Sequence, residues 1–196
     1  MKAALLKGLN QFEIETIEKP IPKEHEVLVK IKAAGICGSD IHKMQNEWKY
    51  ELPMVMGHEF SGVIESIGSK VKRILIGDRV VVAPLIPCHE CVYCESGKYQ
   101  LCEDYTMIGS HRYGGFEEYV TVPEENVINI GESISFEEAA MIEPLAVAAH
   151  GVMGLDPKIG DTVAVFGLGT IGILTVQWLR LTGCLLYTSD AADDRI

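Results

Sequence analysis

Four cysteines lie close together in the middle of the chain, at a spacing typical of a metal site. The pattern C-x2-C-x2-C-x7-C is formed by Cys88, Cys91, Cys94 and Cys102. Four thiolates at this spacing can close a tetrahedral site around Zn²⁺ and leave no position for a substrate. An iron–sulfur cluster also takes four cysteines, and disulfides could pair them. Because the spacing departs from the ferredoxin pattern and no signal peptide is recognisable, we predict a structural zinc lobe at 87–103.

A second candidate site is dispersed along the chain and consists of Cys37, His58, Glu59 and Glu143. Each residue alone indicates little, because a lone cysteine is usually a small buried hydrophobe and a lone histidine usually has a structural role. Of the six cysteines, four form the cluster and one, Cys184, lies among the last residues, which leaves Cys37 for a second site. A catalytic zinc takes three protein ligands and keeps a fourth position open, so together these residues indicate such a site.

A glycine-rich turn follows an apolar, β-branched run near the end of the chain. Its glycines are Gly167, Gly169 and Gly172, and Thr170 and Ile171 stand between the last two. The first glycine allows a tight turn, the second lets the backbone approach a pyrophosphate, and the third permits close packing of helix on strand. A helix that starts here would present its N-terminus to the anion. Because the pattern stands between a predicted strand and a predicted helix, it predicts dinucleotide binding.

The composition disfavours several classes of partner. The chain has 196 residues and a net charge of -11, so nucleic acid and anionic membranes would not attract it. Between Asp161 and Arg180 lie 18 residues without a charge, which is near the minimum for a membrane-spanning helix. The three glycines of the turn divide this stretch, so we predict a buried strand–turn–helix in its place.

Short β-like runs fill the first part of the chain, and helical patterns follow them. Strands are predicted at residues 26–33, 62–68, 78–82, 119–123 and 163–166. Their frequency, with glycine and proline turns between them, favours a small barrel or sandwich. A helix is predicted to start at Ser135, which has Glu138 three residues later, and a second helical pattern covers residues 145–152.

The last residues do not continue the pattern that precedes them. A helical pattern covers residues 171–181, and the sequence of residues 184–196 then resembles the translation of a sequencing adapter. We therefore predict a non-native tail at 184–196 and leave it out of the fold assignment. The alternative is a genuine short C-terminus. On the first interpretation the natural protein continues and this chain is a fragment.

In the order of its motifs the chain resembles the medium-chain zinc-dependent dehydrogenases over nearly all of its length before the tail. The motifs are the Cys37 region, Gly57-His58-Glu59, the four-cysteine lobe, Glu143-Pro144 and the glycine turn. The resemblance implies a mainly β, GroES-like catalytic domain at 1–155, followed by the start of an α/β Rossmann domain at 156–183. It also implies that most of the cofactor domain lies outside this chain.

Within that family the chain is similar to the polyol branch. The segments 107–120 and 143–147 resemble galactitol-1-phosphate 5-dehydrogenases most, and sorbitol or threonine dehydrogenase stays an alternative. The resemblance implies oxidation of galactitol 1-phosphate to tagatose 6-phosphate. The expected cofactors are NAD, with NADP left open, and two Zn²⁺ in each complete subunit.

The resemblance also implies roles for single residues. The four dispersed residues would hold the catalytic zinc, with Glu59 as an exchangeable or outer ligand. Ser39 and His42 match the family's proton relay, and histidine suits its last step because imidazole titrates near neutrality. A phosphorylated substrate needs a cation, for which Arg112 is the first candidate and Lys43 and Lys49 are weaker ones.

The resemblance also implies where the complete protein would act and in what form. The complete protein would be a cytoplasmic homo-oligomer that acts on a small polyol or sugar-alcohol phosphate. The fragment itself is expected to be inactive, since one βα unit does not form a dinucleotide crevice. A different class of function, a non-catalytic module stabilised by zinc, explains the four-cysteine lobe. It leaves Cys37, His58, Glu59 and the glycine turn unexplained.

Overall fold

The computed structural model describes residues 1–46 and 51–189, in which strands and short helices alternate. The strands are β1 (Lys2–Gly8), β2 (Gln11–Thr16), β3 (Glu26–Gly35), β4 (Met54–Val55), β5 (Glu59–Ile67), β6 (Arg79–Val82), β7 (Leu85–Ile86), β8 (Thr106–Met107), β9 (Tyr119–Pro123), β10 (Val127–Asn129), β11 (Thr162–Phe166) and β12 (Leu185–Ser189). The helices are α1 (Gly38–Gln45), α2 (Val92–Glu95), α3 (Phe136–Ala140), α4 (Ile142–Leu155) and α5 (Thr170–Thr182). Within the described ranges, no helix has both the length and the apolar character that a membrane crossing requires.

The chain divides into two compact units, one that ends at Met141 and one that begins at Ile142. The first is rich in β-sheet, and the second holds α4 and α5 with a parallel strand pair, in agreement with the predicted fold class. The division lies before the predicted boundary at 155, because α4 packs against α5. The predicted limits 1–155 and 156–183 therefore differ from the compact units by this one helix.

The first unit is built around a five-stranded sheet with the strand order β10-β6-β5-β3-β9. All four pairings in it are antiparallel. Alternate β-branched and aromatic side chains of these strands form a dry core. Its fully buried members include Val27, Val29, Phe60, Ile64, Val80, Val82, Val120 and Val122. A slip of one residue would turn these side chains to solvent, so burial of the core fixes the register of β3 against β5.

The predicted strands are confirmed, with shifted limits. Residues 26–33 lie in β3, 78–82 overlap β6, 119–123 are β9 and 163–166 lie in β11. The run 62–68 overlaps β5, which begins earlier, at Glu59. The sequence did not predict this earlier start because a polar residue opens the strand.

A second sheet has the order β2-β1-β4 and is joined to the first through backbone hydrogen bonds. The amide of Ala4 in β1 donates to the carbonyl of Phe116 at 2.8 Å. Two residues later, the carbonyl of Glu118 accepts from the amide of Ile31 in β3 at 3.0 Å. The segment before β9 thus bonds to both sheets and holds them together.

Helix α3 begins at a local cap. The Ser135 hydroxyl accepts from the amide of Glu138 at 3.1 Å, and the Glu138 carboxylate accepts from the amide of Ser135 at 2.8 Å. This reciprocal cap confirms the helix start predicted there. Helix α1 was not predicted, because it opens with Gly38 and Ser39, which have low helix propensity.

The second unit contains a strand–turn–helix, as predicted, and a further strand. Helix α5 ends at Thr182 and is capped by Gly183, whose φ of +75° is the left-handed conformation that glycine adopts readily. Residues 185–189, which the sequence analysis left out, form β12 and pair with β11 in parallel. An extended apolar segment can fill an open strand edge whatever its origin. The non-native origin of residues 184–196 stays a prediction, and residues 190–196 lie outside the described part.

Candidate metal centres

Three side chains that could bind a metal meet where β3 ends and β5 begins. The sulfur of Cys37, a ring nitrogen of His58 and a carboxylate oxygen of Glu59 lie within 4.8 Å of one another. The antiparallel register places Gly35 opposite Glu59, so the turn that follows β3 brings Cys37 next to the start of β5. His58 is 4% exposed and Glu59 6% exposed. The structure thus brings together three of the four residues predicted for the dispersed site.

Two glycines leave the space that these ligands need. A Cβ on Gly35 would lie 2.3 Å from Oε2 of Glu59, so a side chain at this position would displace the carboxylate. Gly57, which precedes His58, has a φ of +91°, and a Cβ there would lie 2.6 Å from the ring of Phe116. The path of the backbone into His58 therefore depends on a residue without a side chain.

Asp40 belongs to this site, although the sequence analysis gave it no role. It is 1% exposed, and its Oδ2 accepts from the amide of Cys37 at 3.0 Å. Its Oδ1 lies 3.6 Å from Nδ1 of His58. A carboxylate next to a metal-binding imidazole fixes the tautomer and the orientation of the ring. An acidic residue three positions after the residue that caps a helix is the signal that could have identified it.

The surroundings of this cluster fit a bound cation. Oδ1 of Asp40 is buried and has no hydrogen-bond partner within residues 1–46 and 51–189. A buried carboxylate oxygen without a partner is costly, and a nearby positive charge would offset that cost. Thiolate, imidazole and carboxylate are all ligands that Zn²⁺ accepts. The residues present therefore fit a zinc ion with three protein ligands.

A lysine lies close to the same cluster. Nζ of Lys43 on α1 donates to the hydroxyl of Ser110 at 2.5 Å. Burial lowers the pKa of Lys43, while the charges of Asp40 and Cys37 act in the opposite direction. The net result is a lowered pKa for this ammonium.

The two predicted relay residues lie on α1, the helix that starts after Cys37. Ser39 and His42 are both exposed. The amide nitrogen of the Asn46 side chain donates to the carbonyl of His42 at 2.8 Å and lies 3.4 Å from its Nδ1. The structure thus places both residues on the helix that starts directly after Cys37 and leaves them open to solvent, and the relay itself stays a prediction.

Arg112, the first candidate for binding a phosphate, is bonded within the sheet. Its Nη2 donates to Oε1 of Glu26 at 2.8 Å and to the carbonyl of Thr121 at 3.0 Å. Burial acts to raise the pKa of Glu26, but the bonds from Arg112 and from the amide of Lys23 outweigh it and lower that pKa. A phosphate would have to compete with Glu26 for this guanidinium, which disfavours the predicted role. Lys49 lies outside the described residues.

The four-cysteine lobe is a compact cluster of sulfur atoms. The sulfurs of Cys88, Cys91, Cys94 and Cys102 all lie within 4.8 Å of one another, and those of Cys88 and Cys94 are 3.9 Å apart. Four sulfurs bound to one zinc at about 2.3 Å would stand about 3.8 Å apart, whereas a disulfide needs about 2.05 Å. The geometry therefore fits a closed tetrahedral zinc site.

Backbone amides contribute to the electrostatics of this lobe. Helix α2 starts after Cys91, and Cys102 follows a 3₁₀ helix at Tyr99–Leu101. Backbone hydrogen bonds from Glu103 and Cys94 lower the pKa of the Cys91 thiol to about 6. The amide of Cys88 donates to the sulfur of Cys102 at 3.2 Å. Amides that point at sulfur stabilise thiolates, which are the form that binds zinc.

The glycine turn has the backbone that its sequence predicts. Gly167 follows β11 with a φ of +89°, and Gly169 is the N-cap of α5. A Cβ on Gly172 would lie 1.9 Å from the carbonyl oxygen of Gly167, so the helix can approach the turn closely only with glycine there. Glu143 lies in the first turn of α4, also within the second unit, and its role as a zinc ligand stays a prediction.

Replacing Gly35 by alanine would test the dispersed site. The new Cβ would displace the Glu59 carboxylate, so we expect Gly35→Ala to weaken Zn²⁺ binding there about 10-fold or more, while the four-cysteine lobe keeps its affinity. Gly38→Ala is the matched control, because a Cβ on Gly38 meets nothing within 4 Å. Titration against a chromogenic zinc chelator measures both affinities. Equal zinc affinities in the two variants would contradict the assignment.

Comparison with known proteins agrees with this architecture. The profile of the alcohol dehydrogenase GroES-like domain matches residues 23–132, which is more than half of the chain. Sorbitol dehydrogenase of Bacillus subtilis is 38% identical over 188 residues, which cover 93% of this chain and 53% of that protein. The chain therefore spans about half the length of the curated relatives it matches.

Solved structures support the same relationship. Galactitol-1-phosphate dehydrogenase from Escherichia coli superposes with a TM-score of 0.90 at 35% identity, over 96% of this chain and 55% of that chain. A short chain alcohol dehydrogenase from Escherichia coli CFT073, complexed with NADH, gives a TM-score of 0.90 at 35% identity, over 98% and 63% of the two chains. The predicted fold class is confirmed, and the chain belongs to the medium-chain zinc-dependent alcohol and polyol dehydrogenase family.

Proposed function

We propose that the complete protein is a zinc-dependent dehydrogenase that oxidises a secondary alcohol of a polyol and transfers the hydride to NAD or NADP. The observation that carries this proposal is the cluster of Cys37, His58 and Glu59 within 4.8 Å. The four-cysteine lobe is closed, because its thiolates would fill every position of a zinc ion. The dispersed site offers fewer ligands, which leaves a coordination position for a substrate.

The ligands of the dispersed site would have different roles in binding the metal. Cys37, His58 and Glu143 would hold the catalytic zinc, and Glu59 would be an exchangeable or outer ligand. Asp40, whose Oδ1 is 3.6 Å from Nδ1 of His58, would orient the imidazole. A zinc ion bound there supplies Lewis acidity, which lowers the pKa of an alcohol on its open position.

The proton of the alcohol needs a path to solvent. We assign this path to Ser39 and His42, which both lie on α1 and are exposed. A hydroxyl can accept and donate a proton at the same time, so Ser39 can connect the substrate side to the imidazole. His42 would then pass the proton to water. The family resemblance supports the assignment, and the exposure of both residues is compatible with it.

The cofactor would bind at the glycine turn of the second unit. Gly167, Gly169 and Gly172 bring the N-terminus of α5 to a position where backbone amides can face a pyrophosphate, with Thr170 and Ile171 in the first turn of the helix. NAD is the first assignment, and NADP is the alternative. The nicotinamide supplies the redox chemistry once it is bound.

Galactitol 1-phosphate is the substrate that we propose, with tagatose 6-phosphate as product. The similarity to the galactitol-1-phosphate dehydrogenase structure supports it. A neutral polyol is the second candidate, and the similarity to sorbitol dehydrogenase supports that one. Metal-binding thiolates need a reducing compartment, so the cytoplasm is the proposed location, and the complete subunits are proposed to form a homo-oligomer.

Substituting one cysteine in each cluster would test the proposal. In the full-length protein, we expect Cys37→Ala to lower turnover about a thousandfold while zinc stays in the four-cysteine lobe, because the Lewis acid is lost. Cys94→Ala should instead lower the melting temperature, because Cys94 is buried in the structural lobe. Initial rates with galactitol 1-phosphate, sorbitol and threonine, together with zinc content per subunit, give both readouts. Undiminished turnover by Cys37→Ala would refute the assignment.

The relay would be tested by substitution of its last member. We expect His42→Ala to lower kcat on the order of 100-fold, because a positioned acid–base group is lost. Because His42 is exposed, free imidazole in the buffer should restore part of the rate. His25→Ala is the control, since His25 is an exposed histidine before β3. An unchanged kcat in His42→Ala would remove His42 from the mechanism.

A further inference from the structure

The segment at residues 114–118, which we call the brace, holds the backbone that leads into the dispersed site. The amides of its first three residues donate to the carbonyls of the three residues that precede His58, at 2.8, 2.7 and 2.9 Å. A Cβ on Gly114 would lie 2.0 Å from the carbonyl oxygen of Gly57, so the two stretches of backbone pack in direct contact. The position of the His58 backbone therefore depends on the brace.

Glu117 lies inside the brace and buries its carboxyl group. It is 8% exposed, and its Oε2 has no hydrogen-bond partner among residues 1–46 and 51–189. Glu117 stands opposite Ala3 of β1 in an isolated bridge, and Ala3 belongs to a cluster of buried apolar side chains. An ionised carboxylate without a partner is very costly in such surroundings, so burial favours the protonated form of Glu117.

The charged groups that face Glu117 do not change this conclusion. Glu117 lines two cavities, and three cationic and three anionic groups line them with it, so their fields oppose one another. No hydrogen bond joins any of these groups to the Glu117 side chain within the part of the chain that the structure describes. Burial is therefore the cause that raises the pKa of Glu117 to about 8. The groups are Lys2, Asp40 and Glu118 in one cavity and the Met1 amino group, Glu18 and Arg112 in the other.

We propose that Glu117 is a pH-sensitive switch of the dispersed site. The brace stays in place while this carboxyl is protonated, and it loosens its hold on the His58 backbone when the proton is lost, because the charge must then reach water. The four-cysteine lobe takes its ligands from residues 88–102 and should not respond. The switch goes beyond the dehydrogenase function proposed above and requires of it only that the dispersed site binds zinc.

The direction of the effect follows from the two states of the carboxyl. Where the brace has loosened or the chain has unfolded, the Glu117 carboxyl meets water and its pKa returns toward the ordinary value of 4.5, whereas in the folded brace the pKa is about 8. Between these two pH values the loosened state has lost the proton and the folded state keeps it. A rise in pH within this range therefore favours the loosened state, and above about pH 8 the effect stays constant.

Zinc release from the full-length, zinc-loaded protein would test the switch. Between pH 6 and 8 we expect release from the dispersed site to a chelator to accelerate about 10-fold more in wild type than in Glu117→Gln, because only wild type has the buried carboxyl. Glu117→Leu, which removes the polar atoms, should behave like Glu117→Gln. Glu118→Gln is the matched control, because it changes an exposed carboxylate of the same brace. The Cys37→Ala protein identifies the phase of release that belongs to the dispersed site.

Melting temperature over the same pH range gives a second readout, which should fall about 5 °C more in wild type than in Glu117→Gln. Parallel zinc-release curves for these two proteins would overturn the proposal. If only the melting temperatures diverge, Glu117 titrates without acting on the metal site, and the proposal is equally wrong. Parallel curves in a protein that holds two zinc ions and oxidises a polyol remove the switch and leave the dehydrogenase standing. If wild type binds no zinc at the dispersed site at any pH, both proposals fail.

Discussion

The candidate catalytic site depends on one backbone interaction, the antiparallel pairing of β3 with β5. The register sets Gly35 opposite Glu59, and this single pair brings Cys37 within reach of His58 and Glu59. The register is held by the buried core beneath the sheet, since a slip of one residue would expose it. The chemistry at one end of the two strands is therefore fixed by apolar packing along the rest of their length.

The two candidate metal centres are built in opposite ways, and this suits different roles. The four-cysteine lobe takes all its ligands from residues 88–102, so it forms from local chain and can stabilise the segment that it closes. The dispersed site draws its ligands from two separate segments, the turn after β3 and the start of β5, and exists only when the sheet has formed. Asp40 also needs the folded sheet, because its carboxylate accepts a hydrogen bond from the Cys37 amide and lies close to Nδ1 of His58. A site that the fold assembles can hold its ligands in a fixed geometry with a position left for substrate.

Features that depend on local sequence could be predicted, and those that depend on distant partners could not. The cysteine spacing, the glycine turn and the Ser135 cap are each determined within a few residues, and the structure has all three in the expected form. The hydrogen bond between Arg112 and Glu26 could not be predicted, because the two residues are 86 positions apart in the chain. Helix α1 and Asp40 were missed for a related reason, since tertiary contacts outweigh the weak helix propensity at that point. The pairing of residues 185–189 with β11 likewise follows from an open strand edge and not from a local pattern.

The central claim is that the complete protein holds one structural and one catalytic zinc. Anomalous X-ray diffraction at the zinc absorption edge, from crystals of the full-length protein, tests it most directly. We expect two peaks, one among the sulfurs of Cys88, Cys91, Cys94 and Cys102 and one among Cys37, His58 and Glu59. A single peak in the four-cysteine lobe, in crystals grown with excess zinc, would contradict the account and leave a zinc-stabilised module without a catalytic metal.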